Sequence, residues 1–180
     1  MWEDKSFGNY VAGQADADSY FGLEVSRWSR NVFGVRILPN WAVSKAYDFE
    51  ILEEIKNFLG VGRLKEIKAS KSYTHHYRLS VTGTKCSKIV EFFEKFPLRA
   101  NKQKDFEIWK KAVKIYNNRS RFHGPGSGWK KEGILAMLQL RKELDDLKSR
   151  RKHLHKRDIN ELIRKIESIQ DSTLSTRRNE

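Results

Sequence analysis

The spacing of apolar residues changes along the first two thirds of the chain. From Tyr20 to Lys45 and again within residues 61 to 82, apolar and polar residues alternate, which is typical of strands with one buried face. Residues 51 to 59, 89 to 96 and 102 to 116 instead repeat apolar positions every three or four residues, as amphipathic helices do. With a short helix ahead of the first hairpin, the pattern predicts an α+β fold in the order αββαββαα.

These elements predict one core domain with an extension. The core covers residues 1 to 118, with a first helix at 7 to 18 and a four-stranded antiparallel sheet within 19 to 82. Pro39 predicts a bulge or an edge position in the second strand, and Ile67 is assigned to the apolar side of the second hairpin. Residues 119 to 128 are expected to be a loop, 129 to 170 a helical extension and 171 to 180 a disordered tail.

Charge restricts the class of partner. Lys and Arg number 36 against 23 acidic residues, a formal charge of +13, which favours a polyanion such as nucleic acid. Nothing in the sequence approaches the roughly 20 apolar residues of a membrane span, so no membrane partner is expected. The single Cys86 excludes an intramolecular disulfide. We therefore expect a reducing intracellular compartment: a bacterial or archaeal cytoplasm, or a chloroplast or mitochondrial matrix.

The segment with the clearest chemical content is VAGQADADS, from Val11 to Ser19. Gly13 and Ala17 are four residues apart and share one helix face, so two such helices can approach closely. Asp16 and Asp18 fall in the last turn, where the helix dipole disfavours a carboxylate by about 0.3 to 1 kcal/mol. A nearby cation reverses that effect.

This segment resembles the LAGLIDADG motif of homing endonucleases. The alternating strands, the stretch ILEEIKNFLGVG and the stop FPL followed by KQKDF fall where that family has them, so the resemblance covers residues 7 to 118. It implies the αββαββα fold with a saddle-shaped sheet. It also implies a metal-dependent, intron-carried enzyme that hydrolyses both strands of a long pseudopalindromic DNA duplex and leaves 3′ overhangs. Because one chain holds one motif and no repeat of the αββ unit, we expect a homodimer.

The resemblance also implies roles for individual residues. Asp18 is the implied metal ligand, with Mg²⁺ as the expected ion and Ca²⁺ or Mn²⁺ able to substitute. Lys102 and Lys45 are the implied catalytic lysines, although a Gln is commoner at the position of Lys45. Gln14 and Ser19 also depart from the family pattern, in place of a large apolar residue and a Gly. The residues expected in the dimer helix are Ala12, Gly13, Asp16 and Ala17.

Polar residues of the predicted sheet are candidates for reading DNA bases. They are Glu24, Ser26, Trp28, Arg30, Arg36, Asn40, Ser44, Lys65, His76, Arg78 and Ser80. Arg36 and Arg78 would favour guanine and Asn40 adenine. Further along, Lys148 to Arg157 is basic, and Arg150, Arg151 and Lys152 are expected to contact phosphates; a solvated helix is the alternative reading.

Two other functions fit the same scaffold. The first is a group I intron maturase, which binds its host intron RNA to assist splicing. The second is a non-catalytic, sequence-specific DNA-binding protein. Asp18 and Lys102 argue against a pure binder, and cleavage with magnesium separates the alternatives.

Overall fold

A computed structural model describes residues 2–29, 33–71, 74–118, 129–148 and 159–169 of the 180-residue chain. The order of elements in the core is the predicted one, and the fold is a mixture of helices and antiparallel sheet. The elements are α1 (Lys5–Asp18), β1 (Ser19–Arg27), β2 (Val35–Lys45), α2 (Phe49–Leu59), β3 (Arg63–Ile67), β4 (His76–Thr82), a 3₁₀ turn (Gly83–Lys85), α3 (Cys86–Lys95), α4 (Lys102–Asn117), α5 (Lys131–Lys148) and α6 (Ile159–Glu167).

The four strands form one antiparallel sheet in the order β1-β2-β4-β3. Ser19 pairs with Val43 and Arg27 with Val35, while Lys45 pairs with Tyr77. The register is continuous through Pro39, which pairs with Leu23. Pairing between β2 and β4 starts only at Asn40. Pro39 therefore lies where β2 has a neighbour on one side, which confirms the edge position and not the bulge.

Strand register divides the sheet into a core face and a free face. Phe21, Leu23, Ile37, Trp41 and Leu79 are fully buried on the core face. Ile67 was assigned to this face, and that assignment is wrong. Ile67 pairs with His76, whereas Leu64 pairs with the buried Leu79. Residues three apart in a strand point to opposite faces, so Ile67 belongs to the free face.

Helix α1 begins two residues before the predicted start. Asp4 is its N-cap, and the Asp4 carboxylate accepts a hydrogen bond from the Phe7 amide at 2.9 Å. Gly8 packs so closely on the Phe96 ring that a Cβ there would lie 2.3 Å from ring carbons. This contact fixes the N-terminal half of α1 against the end of α3.

An aromatic cluster fills the space between the core face and the helices. The Phe21 ring contacts Phe93, Phe106 and Trp109 edge to face, with centroids 5.5, 5.7 and 5.2 Å apart. Trp109 also donates from Nε1 to the Gly22 carbonyl at 3.1 Å. Helix α4 is therefore fixed to strand β1 by both packing and a hydrogen bond.

Cys86 is buried at the start of α3. Its Sγ lies 3.4 Å from the carbonyl oxygens of both Pro39 and Val81, and its single S–H can donate to either. Burial raises the pKa of the Cys86 thiol to about 12. The thiol therefore stays protonated at neutral pH and is a poor nucleophile, so its role is packing.

The C-terminal helices extend the core. Helix α5 packs on α4 and β1, and Ile134, Met137, Leu138 and Leu144 on it are fully buried. The Arg141 guanidinium donates to the Leu23 carbonyl of the edge strand and to Asp145 at 2.8 Å. The predicted loop at 119–128 and the tail at 171–180 lie outside the described residues. In the described part, no helix has the length and apolar composition that a bilayer crossing requires.

We predict that Phe21→Ala lowers the free energy of unfolding by about 3 to 5 kcal/mol, because it leaves a cavity under three aromatic rings. Urea unfolding followed by fluorescence measures the change. Glu24→Ala, on the free face of the same strand, is the control and should alter stability by no more than about 0.5 kcal/mol. Equal effects of the two variants would contradict the assignment of faces.

Candidate active site and nucleic-acid interface

The acidic end of α1 and the end of β2 lie together. Asp18 is the last residue of α1 and its side chain is 48% exposed. Because Ser19 pairs with Val43, the first hairpin returns to the end of α1 and brings Lys45 with it. The Lys45 Nζ lies 2.6 Å from Asp18 Oδ2. Two predicted site residues 27 positions apart in the sequence thus form one ion pair.

Lys45 compensates the unfavourable position of the Asp18 carboxylate at the C-terminal end of α1. The helix C-terminus disfavours the Asp18 carboxylate, and the Lys45 ammonium supplies the compensating charge within the chain. Since Asp18 is half exposed, the pair contributes about 0 to 1 kcal/mol to stability. A pair this weak can exchange for a stronger cation.

Asp16 has a different role from Asp18. Its Oδ2 accepts a hydrogen bond from the Arg99 amide at 2.7 Å, and both carboxylate oxygens lie 3.3 Å from the Ala100 amide. Asp16 was expected only as part of the dimer helix. In the structure it fixes the segment that leads into α4, and no sequence pattern indicated a partner 83 residues away.

Lys102 is the first residue of α4 and is only 8% exposed. Its Nζ lies 3.7 Å from Oδ2 of the buried Asp105, one turn further along the helix. Because Asp16 fixes residues 99 and 100, the beginning of α4 is held against the end of α1. The Asp16 hydrogen bonds therefore join the last turn of α1 to the segment that leads into the helix carrying Lys102.

One face of α1 carries small residues and is open. Gly13 and Ala17 are exposed, and a Cβ at Gly13 would meet nothing within 4 Å. Ala12 was expected in the same interface, but it is 5% exposed and packs in the core of its own subunit. Gln14 is half-buried, and its Oε1 has no hydrogen-bond partner among the described residues. The exposed face of α1 is thus narrower than the sequence suggested.

The end of α1 at Asp18, called the acidic tip, offers the type of ligand that a hard divalent ion prefers. It offers too few ligands to hold such an ion alone. Asp18 offers an exposed carboxylate oxygen, the kind of ligand that Mg²⁺ and Ca²⁺ take. Across the ranges that the structure describes, no three His, Cys, Asp or Glu side chains are grouped as a complete metal site. The residues fit a metal only if further oxygen ligands come from outside the chain.

The free face of the sheet contains the candidates for base reading that lie in strands. Register places these predicted residues on it together: Glu24, Ser26, Arg36, Asn40, Ser44, Lys65, His76, Arg78 and Ser80. Trp28 follows β1, and the Arg36 guanidinium lies 5.0 Å from the centre of its ring. The face is therefore polar, basic and partly aromatic.

The structure adds residues to this face and leaves others undecided. Arg63 and Thr82 belong to it by pairing with Ser80 and Asn40; alternation already placed Arg63 among the polar residues of the second hairpin, although not among the base-reading candidates. Tyr47, two residues past Lys45, is 85% exposed, and no periodic signal singled it out. The predicted contacts Arg30, Arg150, Arg151 and Lys152 lie outside the described residues.

Comparison with known proteins finds similarity to endonucleases. A family model described as LAGLIDADG endonuclease matches residues 11–113. A probable intron-encoded endonuclease of Schizosaccharomyces pombe is 32% identical over 110 residues, which make up 61% of this chain and 28% of that protein. The chain thus spans well under half of that relative's length.

Solved structures share the fold. An archaeal intron-encoded homing endonuclease complexed with DNA matches with a TM-score of 0.75 and 22% identity, over 92% of this chain and 97% of the other. The homing endonuclease I-TnaI matches with a TM-score of 0.67 and 24% identity, over 91% and 97%. The homing endonuclease I-CvuI, in complex with its target in the presence of Ca, matches with a TM-score of 0.71 and 15% identity, over 94% and 100%.

We predict that Asp16→Ala and Asp18→Ala differ in their effect on stability. Asp16→Ala removes charge-assisted hydrogen bonds to two amides and should cost about 1 to 3 kcal/mol. Asp18→Ala removes an exposed pair and should change stability by no more than about 1 kcal/mol. Hydrogen exchange provides the local measurement. The Arg99 and Ala100 amides should lose protection in Asp16→Ala alone, and unchanged protection would refute the assignment.

Proposed function

Because the chain belongs to the LAGLIDADG endonuclease family, we propose that it is a site-specific endonuclease that hydrolyses both strands of a long DNA duplex with a divalent metal ion at Asp18. The observation that carries this proposal is the exposed Asp18 carboxylate, with Lys45 2.6 Å away and the start of α4 fixed beside it by Asp16. An acid and one lysine are in contact at the end of α1, and the second lysine, Lys102, follows two residues after the Ala100 amide that Asp16 binds.

The active unit we propose is a homodimer. A single chain supplies one exposed carboxylate at this site, whereas cutting a duplex requires action on both strands. Two α1 helices can meet through Gly13 and Ala17, since both are exposed and Gly13 has free space above it. Twofold symmetry then brings the two Asp18 side chains together and makes the target pseudopalindromic.

The metal ion we propose is Mg²⁺. Structures of I-CvuI with DNA were obtained in the presence of Mg or Ca, which supports a divalent ion in this fold. Asp18 from each copy would hold it, and DNA phosphate oxygens and water would complete its ligands. When bound, such an ion stabilises negative charge on phosphate and makes water a better nucleophile.

The two lysines act on charge. With a metal ion at Asp18, the Lys45 ammonium no longer compensates the carboxylate and is free to interact with the phosphate. Lys102 holds a positive charge on a fixed helix end, where it stabilises the extra negative charge of the transition state. Cleavage in this family pattern leaves 3′ overhangs, which we propose for this chain as well.

Recognition is proposed to use the free face of the sheet in the major groove. Arg36 and Arg78 extend from β2 and β4 and can donate in pairs to guanine, while Asn40 suits adenine. The net charge of +13 supports binding to the phosphates on either side. Binding of host intron RNA and binding of DNA without cleavage are the alternatives, and both lack metal-dependent strand scission.

We predict that Asp18→Asn abolishes cleavage, because an amide cannot replace the carboxylate that binds the cation. DNA affinity should stay within about tenfold, or about 1.4 kcal/mol, since the free face is unchanged. Sites are first selected by cleavage of a randomised duplex library, and plasmid linearisation with Mg²⁺ is then measured.

The control for this experiment is Asp48→Asn, an exposed aspartate that precedes α2 and makes no side-chain cap hydrogen bond. It should cut as the unmodified protein does. If the Asp18→Asn variant still cleaves DNA, the assignment of Asp18 as the metal ligand is wrong. Binding of duplex or RNA by the unmodified protein, with no Mg²⁺-dependent cleavage of any site, would favour one of the two alternatives.

We predict that Gly13→Leu yields a monomer that no longer cuts both strands, because a leucine side chain prevents the close approach of two α1 helices. Sedimentation velocity on the free protein and on the DNA complex measures the assembly. Lys111→Leu, on the exposed side of α4, adds the same side chain elsewhere and should leave the assembly unchanged. A dimeric, active Gly13→Leu variant would show that the subunits pair through another surface.

A further inference from the structure

A cleft of about 580 Å³ lies between the C-terminal end of α2 and the start of α3, and none of its described lining residues belongs to α1. Three lysines line it, and no acidic residue does. The lining residues are Lys56, Asn57, Gly60, Val61, Gly62, Thr84, Lys85, Ser87 and Lys88. The assigned functions use none of them.

The three ammonium groups make no close ion pair with another side chain that the structure describes. Within the described chain, none of Lys56, Lys85 and Lys88 has an acidic partner within 4.0 Å. The Lys88 Nζ lies 3.6 Å from the point where a Cβ of Gly60 would be, so its charge stands over the turn that ends α2. Three positive charges without a close ion-pair partner around one concave surface favour an anion with several oxygen atoms.

The position of the cleft indicates which anion reaches it. Gly62 immediately precedes Arg63, the first residue of the edge strand β3, and Thr84 comes two residues after Thr82, the last residue of β4. Both Arg63 and Thr82 belong to the free face by register. A protein surface that enters the major groove has the sugar-phosphate strands along its margins. Gly62 and Thr84 of the cleft therefore adjoin residues at the border of this face.

We propose that this cleft binds a backbone phosphate of the DNA duplex, outside the base-reading face and outside the metal site. The proposal rests on the proposed function in one respect, that the partner is duplex DNA. The hydroxyl groups of Thr84 and Ser87 add hydrogen-bond donors to the three lysines. The contact carries no base information and fixes the duplex on the β3 side of the sheet.

The test measures salt dependence and requires no cleavage. The variant Lys56→Gln/Lys85→Gln/Lys88→Gln is compared with Lys5→Gln/Lys111→Gln/Lys114→Gln, which removes the same charge from exposed positions on α1 and α4. Affinity for a labelled duplex without a target site is measured by fluorescence anisotropy over a KCl series. The slope of log K against log salt should become less negative by about 0.9 per bound chain in the cleft variant only.

Equal slopes in the two variants would overturn the proposal, since the effect would then be one of net charge. Saturable binding of inorganic phosphate with an unchanged DNA slope would also overturn it and indicate a site for a free phosphate compound. A cleft variant that melts at a lower temperature than the control variant but keeps the salt slope would show that the lysines are structural, and it would overturn the proposal. If the triple variant does not fold, Lys85→Gln alone, at an exposed position, should still give part of the slope change. Failure of the unmodified chain to bind duplex at all would refute the proposed function instead.

Discussion

The carboxylate of Asp16, bonded to the Arg99 and Ala100 amides, is the interaction on which the geometry of the site depends. It joins the last turn of α1 to the segment that begins α4. A helix end is the part of a helix that frays most readily, because its last carbonyls have no partners within the helix. With this tie, the segment just before Lys102 is held against the helix that ends in Asp18. Without it, Asp18 and Lys102 each lie at the end of a separate element.

The two aspartates of the motif thus have different contacts: Asp16 binds backbone amides of its own chain, and Asp18 is open to solvent. Asp16 faces inward to backbone amides, and Asp18 faces outward to a lysine ammonium that solvent also reaches. Two positions along a helix correspond to a rotation of about 200°, so neighbouring carboxylates in this spacing necessarily have different surroundings. The same reasoning separates Ala12 and Ala15, which are buried, from Gly13 and Ala17, which are exposed.

Local patterns predicted the elements well and the contacts between them poorly. Alternation with a period of two placed Arg36, Asn40 and Arg78 on one face, and the register confirms it. Assignment by apolar character alone failed for Ile67, although its odd spacing from Leu64 was visible in the sequence. The Asp16 bonds and the lysine cleft join segments far apart in the chain. No period or cap signal encodes such pairs, since they arise only when the layers pack.

The edge of β1 has a consequence for solubility. Arg141 donates to the Leu23 carbonyl, so helix α5 occupies a backbone acceptor on the outer side of this strand. An uncovered edge strand recruits strands from other molecules and seeds aggregation. With this acceptor taken and α5 packed against β1, the sheet is less easily extended from this side. The β1 edge of this basic, aromatic-rich chain is therefore less available for pairing with a strand of another molecule.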